Sequence, residues 1–122
     1  MPKNAVCVEV GVARGHFSES ILRITSPKIL YLIDIWEFIE TDATGKKFHP
    51  EYEMVHKKFG NTKNIEIRRG SSDKILSSFQ DGYFDWLYID GDHRYEGVKS
   101  DLKLAVQKVK NGGFIAGDDY VD

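Results

Sequence analysis

The chain has 122 residues, a net charge of −2 and an apolar fraction of 41%, which fits one globular domain of modest size. It has no stripe of lysine and arginine, which argues against nucleic acid as a partner; Arg68-Arg69 and Lys46-Lys47 read as solvated surface. No apolar run approaches the roughly 20 residues of a membrane span, no signal peptide is recognisable, and the lone Cys7 reads as a buried thiol. We therefore expect a cytoplasmic protein with no membrane partner.

Strand and helix signals alternate along the chain. Short apolar runs predict five strands, at Ala5–Val10, Ile29–Ile33, Ile65–Arg68, Phe84–Ile89 and from Phe114 to Ala116. Helical spacing predicts helices at His16–Ile24, Glu51–Phe59, Asp73–Phe79 and Glu96–Val109, the last ended by Asn111-Gly112-Gly113. The residues from Trp36 to Pro50 have no clean period and are predicted to be a loop, the one candidate lid. This alternation predicts an α/β fold with a parallel sheet and right-handed crossovers.

A glycine loop follows the first predicted strand. Gly11 and Gly15 are separated by three residues and open a helix, whereas a dinucleotide fingerprint would carry a further glycine where Ala13 stands. The loop therefore suits a nucleoside-type ligand without a pyrophosphate. Asp34 ends the second strand, where a carboxylate can accept hydrogen bonds from the hydroxyls of a ribose. A turn glycine and a surface carboxylate are the structural alternatives.

Acidic residues follow the last two predicted strands. Asp90-Gly91-Asp92-His93 comes after the fourth strand, and Asp118-Asp119 comes after the fifth. If these strands are parallel neighbours, both clusters lie at the carboxyl edge of one sheet, where open α/β sheets bind ligands. Asp90, Asp118 and Asp119 are hard oxygen donors that suit Mg²⁺ or another divalent cation, and His93 could accept a proton at neutral pH. A solvated turn and simple caps remain the alternative.

These pieces together resemble class I S-adenosylmethionine-dependent methyltransferases. The similarity is to the small-molecule O-methyltransferase group that carries an Ile-Asp-Gly-Asp-His-x-Tyr motif. It runs from about Cys7 to Tyr120, and its most specific parts are Glu9 to Gly15, Tyr88 to Gly97, Gly112-Gly113 and Gly117 to Asp119. The resemblance implies one methyltransferase-like domain over residues 1–122, with a Rossmann-like doubly wound sheet in the order 3-2-1-4-5, truncated relative to the seven-stranded fold of the family.

The resemblance also assigns roles to residues. It implies that S-adenosylmethionine is held by Glu9, Gly11 and Gly15 at its methionine part, by Asp34 at the ribose, and by Ile35, Trp36, Ser72 and Asp73 around the adenosine, with Asp90 beside it. It implies metal ligation by Asp90, Asp118 and Asp119. His93 stands where catechol-type relatives carry a lysine base, so Asp90 and His93 are the implied catalytic pair.

Three functions are weighed at this point. The first is metal-assisted O-methylation of a small hydroxylated molecule, and the second is a non-catalytic module that binds S-adenosylmethionine or S-adenosylhomocysteine. The third is a nicotinamide-binding Rossmann protein, which the glycine spacing disfavours. The fifth strand would form an edge that carries Phe114 and Ile115, so we expect a homo-oligomer; a fragment or a minimal variant would also account for the short chain.

Overall fold

The structure is a computed structural model that describes residues 4–89 and 103–117. Its elements in chain order are β1 (Val6–Val10), α1 (His16–Thr25), β2 (Ile29–Asp34), β3 (Glu40–Thr41), β4 (Lys47–Phe48), α2 (Pro50–Phe59), β5 (Ile65–Arg69), α3 (Ser72–Ser77), β6 (Phe84–Ile89) and β7 (Val109–Gly117). Residues 103–108 are helical. None of the described helices is both long and apolar enough to cross a bilayer.

Five strands form one parallel sheet in the order β5-β2-β1-β6-β7. Counted along the chain without the short β3 and β4, this is third-second-first-fourth-fifth. The α/β class and the predicted order are therefore confirmed. The short apolar strands at the centre are buried on both faces, as expected where helices cover a parallel sheet on each side.

The core is divided by the sheet into two clusters. One face packs Cys7, Leu30, Leu32 and Trp86 against Ile21 of α1 and against Val55 and Phe59 of α2. The other face packs Val8, Val10, Ile33 and Leu87 against Leu76 of α3 and Ala105 of the helical residues 103–108. Side chains of successive strand residues alternate between the two clusters, so the sheet is doubly wound as predicted.

The segment predicted to be one loop contains a two-stranded hairpin. β3 and β4 pair antiparallel through Glu40 with Phe48 and Thr41 with Lys47. Asp42 holds the turn: its Oδ1 accepts the backbone N–H of Thr44 at 2.9 Å and of Lys46 at 3.0 Å. Strands of two residues are too short to produce a hydrophobic period, which is why the sequence pattern missed them.

The last strand also begins earlier than predicted. β7 starts at Val109 and runs through the glycines that were expected only to end a helix. Phe84 pairs with Val109, and Trp86 pairs with Phe114. The two strands are therefore out of step here: β6 moves forward by two residues where β7 moves forward by five, which makes a bulge in β7. Gly112 takes a φ of 86° in this bulge, which a glycine adopts at little cost.

Candidate active site

The carboxyl ends of four strands meet at one edge of the sheet. Val10 pairs with both Ile33 and Ile89, and Ile89 pairs with Gly117. The two apolar runs before the acidic clusters are thus neighbouring parallel strands, as expected. Asp90 and Asp118 are the next residues in sequence; with His93 and Asp119 they lie outside the described residues.

The glycine loop turns between β1 and α1 with three residues at positive φ. These are Gly11 at 87°, Ala13 at 53° and Gly15 at 83°. The Gly11 N–H donates to the Ile33 carbonyl at 2.9 Å, and the Gly15 N–H donates to the Val12 carbonyl at 3.1 Å. The loop therefore leaves β1 in contact with the end of β2 and enters the helix through a left-handed residue.

Gly15 lies directly against α2. A Cβ at this position would lie 3.0 Å from Phe59 Cε2 and 3.4 Å from Val55 Cγ2. Its positive φ disfavours a side chain as well. The second glycine of the motif is thus required both by backbone conformation and by the packing of a helix far along the chain.

Asp34 braces the glycine loop. Its Oδ2 accepts the backbone N–H groups of Val12 and Ala13, each at 2.8 Å, and its Oδ1 accepts the N–H of Trp36 at 2.9 Å. A carboxylate offers about four acceptor positions. Three are used within the described residues, which leaves one on Oδ1 for a hydroxyl of a ligand.

Ile35 and Trp36 follow Asp34 but differ in exposure. Ile35 is 46% exposed, whereas Trp36 is 2% exposed and belongs to the core cluster with Val55 and Phe59. The indole N–H of Trp36 donates to the Ala13 carbonyl at 2.8 Å. Of this predicted adenosine-flanking pair, Ile35 is the one that presents surface.

Glu9 is the penultimate residue of β1 and a buried carboxylate, with 1% of its surface exposed. The Ser18 hydroxyl of α1 donates to its Oε1 at 2.5 Å. Glu9 pairs in register with Tyr88, whose ring lies 4.3 Å from that of Phe17. A buried acid, a hydroxyl and two aromatic rings therefore adjoin where the glycine loop enters α1.

Ser72 and Asp73 are the first two residues of α3. The Gly70 N–H donates to the Asp34 backbone carbonyl at 2.9 Å, so this segment adjoins the end of β2. Asp73 is exposed, and the nearby Ser71 hydroxyl, followed by the Lys74 amide, lowers the pKa of its carboxyl. Among the described residues, Ser71 Oγ has no hydrogen-bond partner of good geometry. Ser71 is the N-cap residue of α3.

Arg69 is exposed, as the sequence interpretation expected, but it also makes contacts that the sequence did not predict. Its Nε donates to the Ile35 carbonyl at 3.3 Å and its Nη2 to the Trp36 carbonyl at 3.2 Å. Its guanidinium lies 4.5 Å from the ring centre of Tyr52. An arginine beside another arginine at a strand end carries no pattern that would distinguish it from surface.

A shallow cavity of about 480 Å³ is lined by Tyr52, Glu53, His56 and Lys57 of α2, and none of these is a predicted site residue. Within residues 4–89 and 103–117, no three His, Cys, Asp or Glu side chains cluster as metal ligands would. The predicted ligands Asp90, Asp118 and Asp119 fall outside those ranges.

The chain is similar in sequence or in fold to several known proteins. An uncharacterized protein of Acanthamoeba polyphaga mimivirus is 43% identical over 60 residues, which cover 46% of this chain and 27% of that protein. The chain thus spans about a quarter of the length of this curated relative.

Two solved structures share the fold. A Staphylococcus aureus protein assigned as a caffeoyl-CoA O-methyltransferase has a TM-score of 0.67 at 17% identity, over 94% of this chain and 50% of its own. The trans-methyltransferase CalH, in complex with SAH, has a TM-score of 0.65 at 14% identity, over 93% of this chain and 31% of its own. At these identities the likeness concerns the fold alone.

A family model described as a methyltransferase domain matches residues 8–120, from β1 to just beyond β7. The match spans the glycine loop, Asp34 and both acidic clusters. The chain belongs to this methyltransferase domain family.

Proposed function

We propose that the chain binds S-adenosylmethionine at the carboxyl edge of its sheet and methylates a hydroxyl of a small molecule with the help of a divalent cation. The observation that carries the proposal is the pairing of Ile89 with Gly117. Because Asp90 and Asp118 directly follow these neighbouring strands in the sequence, we expect their carboxylates at the same edge of the sheet as Asp34.

The glycine loop suits a ligand that has no phosphate there. The N–H groups of Val12 and Ala13 already donate to the Asp34 carboxylate. A pyrophosphate would have to displace that carboxylate and would be repelled by it. A neutral ribose and a positive sulfonium meet neither obstacle, which favours an adenosyl sulfonium ligand over a dinucleotide. The SAH in the CalH complex is the neutral thioether that remains when such a sulfonium ligand has given up its methyl group.

In this proposal, different residues at the sheet edge contact different parts of the ligand. S-adenosylmethionine supplies a methyl carbon that is electrophilic because its sulfur is positively charged. The buried Glu9 carboxylate and the loop from Gly11 to Gly15 adjoin its methionine part in this proposal. The free acceptor position on Asp34 Oδ1 takes a ribose hydroxyl, and Ile35 offers apolar surface to the adenosine, with Ser72 and Asp73 beyond it.

The acceptor is activated by the residues after β6 and β7. Asp90, Asp118 and Asp119 provide the hard oxygen ligands that a cation such as Mg²⁺ prefers, and a cation bound there would lower the pKa of an acceptor hydroxyl. His93 accepts the hydroxyl proton. The bound cofactor would supply its methyl group to that oxygen, and its sulfur would keep the electron pair of the broken carbon–sulfur bond. The assignment of the Staphylococcus aureus protein as an O-methyltransferase is consistent with an oxygen acceptor.

Calorimetric titration with S-adenosylhomocysteine, with and without Mg²⁺, tests the cofactor assignment. We expect one site per chain with micromolar affinity; absence of binding in both conditions would overturn the proposal. A screen of hydroxylated acceptors then follows methyl transfer. Binding without transfer to any acceptor would identify a non-catalytic binding module.

Asp118→Ala tests the metal assignment, with Asp122→Ala as a matched control four residues away. We expect Asp118→Ala to abolish turnover and to leave the affinity for S-adenosylhomocysteine unchanged, while the control keeps both. Full turnover in Asp118→Ala would contradict the proposed role of the acidic cluster.

A further inference from the structure

Trp36 has a backbone conformation that a large side chain rarely adopts. Its φ is 48°, and it is 2% exposed. Positive φ at a bulky residue is strained and persists only where the surroundings hold it. The contacts around Trp36 therefore indicate what the strained conformation serves.

Trp36 is linked to the glycine loop by two hydrogen bonds, one made directly and one made through Asp34. Its backbone N–H donates to Asp34 Oδ1 at 2.9 Å, and its indole N–H donates to the Ala13 carbonyl at 2.8 Å. Asp34 Oδ2 meanwhile accepts the N–H groups of Val12 and Ala13. Ala13 is thus held at its donor and at its acceptor from the end of β2, although its own φ is positive.

Arg69 supports this corner from β5. It donates to the carbonyls of Ile35 and Trp36, and its guanidinium lies over the ring of Tyr52. The Tyr52 ring is in turn 5.3 Å from that of Trp36. Arg69 of β5 therefore holds the peptide groups on either side of Trp36, and Tyr52 of α2 contacts both the guanidinium and the indole ring.

We propose that Trp36 is a positioning residue: its indole N–H, with Arg69 behind it, holds the glycine loop in the shape that accepts the adenosyl ligand. The identity of that ligand rests on the proposed function. The loop-holding role itself rests only on the contacts of Trp36, Ala13 and Arg69.

The chain contains a matched control for this proposal. Trp86 is also a buried tryptophan, fully inaccessible, but its indole nitrogen has no hydrogen-bond partner in the described part of the chain. Trp36→Phe and Trp86→Phe remove the same atoms from the core. Only the first of them removes a hydrogen bond to the glycine loop.

Two measurements compare these variants with the wild-type protein. Hydrogen exchange of the amides from Gly11 to Gly15 reports the loop without any ligand, and calorimetry reports the affinity for S-adenosylhomocysteine. Thermal unfolding of both variants separates local from global effects. In Trp36→Phe we expect faster exchange confined to the loop and affinity weakened about fivefold, the effect of one hydrogen bond. Trp86→Phe should show neither change.

Arg69 variants provide a second comparison. Arg69→Met should loosen the loop in the same way, and Arg69→Lys should restore part of the effect because an ammonium can still reach one carbonyl. Equal loop exchange in Trp36→Phe and Trp86→Phe would overturn the positioning role. If the wild-type chain does not bind S-adenosylhomocysteine, the proposed function fails, and loop exchange alone decides the role of Trp36.

Discussion

Phe59, the last residue of α2, lies 3.0 Å from the point that a Cβ on Gly15 would occupy. Gly15→Ala should therefore destabilise the protein by about 2 kcal/mol or more, the sum of a left-handed alanine and an overpacked contact. The measurement is chemical denaturation, accompanied by titration with S-adenosylhomocysteine. Affinity should fall as well, because the loop has to move away from α2.

Gly45→Ala is the control for this variant. Gly45 has a φ of 88°, close to the 83° of Gly15, but a Cβ there would meet nothing within 4 Å. It should cost only the backbone term, about 1 kcal/mol, with no effect on ligand binding. Equal losses in the two variants would mean that contact with α2 does not constrain the loop.

Asp34→Asn should loosen the glycine loop, because Asp34 accepts backbone N–H groups with both carboxylate oxygens. An amide keeps one oxygen, so at least one of these donors would face an NH₂ group. We expect a loss of about 1–3 kcal/mol in the free energy of unfolding, together with weaker ligand binding.

Asp42→Asn offers a sharp comparison. Asp42 receives its three hydrogen bonds, from two backbone amides and the Thr44 hydroxyl, on Oδ1 alone. An asparagine oxygen can replace that atom, so the variant should unfold at nearly the wild-type denaturant concentration. A similar loss at both positions would show that charge, not the number of acceptors, sets the effect.

Asp85 should make stability depend on pH in the acid range. Lys110 and then the Val6 N–H, which donates to Asp85 Oδ2 at 2.7 Å, hold the pKa of this carboxyl below its ordinary value of 3.8. The unfolded chain then binds more protons than the folded one between the two pKa values. The stabilisation is complete above about pH 3.8 and is lost as pH falls through the lower, folded pKa.

Urea denaturation from pH 7 to pH 2 measures this contribution. Wild-type and Asp85→Asn stabilities should differ most near neutral pH and should converge at the acid end. Lys110→Met should reproduce much of the convergence, since it removes the larger cause of the shift. Parallel curves for all three proteins would rule out Asp85 as a source of acid sensitivity.

The β7 edge should mediate self-association. Among the described strands β7 lies at the end of the sheet, and its Phe114 is 37% exposed although its ring stacks on that of Trp86, with the ring centres 5.8 Å apart. Phe114→Lys should shift the protein towards monomers in sedimentation experiments, because a charge on an edge strand opposes pairing. Val106→Lys, at a residue 71% exposed, should leave association unchanged. A wild-type chain that stays monomeric at high concentration would contradict the expectation.

Much of the fold could be predicted because it depends on patterns within short windows. The apolar runs that became β1, β2, β5 and β6 and the periodic segments that became α1 and α2 were recognisable within one or two residues. The sheet order followed from the family resemblance and is confirmed. The predicted last helix ends at residue 108, one residue early, and its beginning lies outside the described residues.

Features that depend on tertiary contacts could not be predicted in this way. The turn residues Asp42 and Gly45 were present in the sequence, but strands as short as β3 and β4 leave no period. The residues next to Trp36 in the sequence do not predict its positive φ. That conformation is held by contacts with Asp34, Ala13 and Arg69. For the candidate site, the positions of Glu9 and Asp34 at the sheet edge followed from strand ends. The groups that form hydrogen bonds with these two carboxylates could not be predicted from the strand ends.

The glycine motif of this protein does not determine the conformation of its loop by itself. Residues 9–15 contain every letter of the pattern, yet the loop is shaped by Asp34 and Trp36 and by the Val55 and Phe59 side chains of α2. Grafting the β1–loop–α1 segment onto another sheet would transfer the sequence without the conformation. Because Arg69 of β5 also holds the peptide groups beside Trp36, an engineered chimera would have to exchange everything from β1 through β5 as one unit.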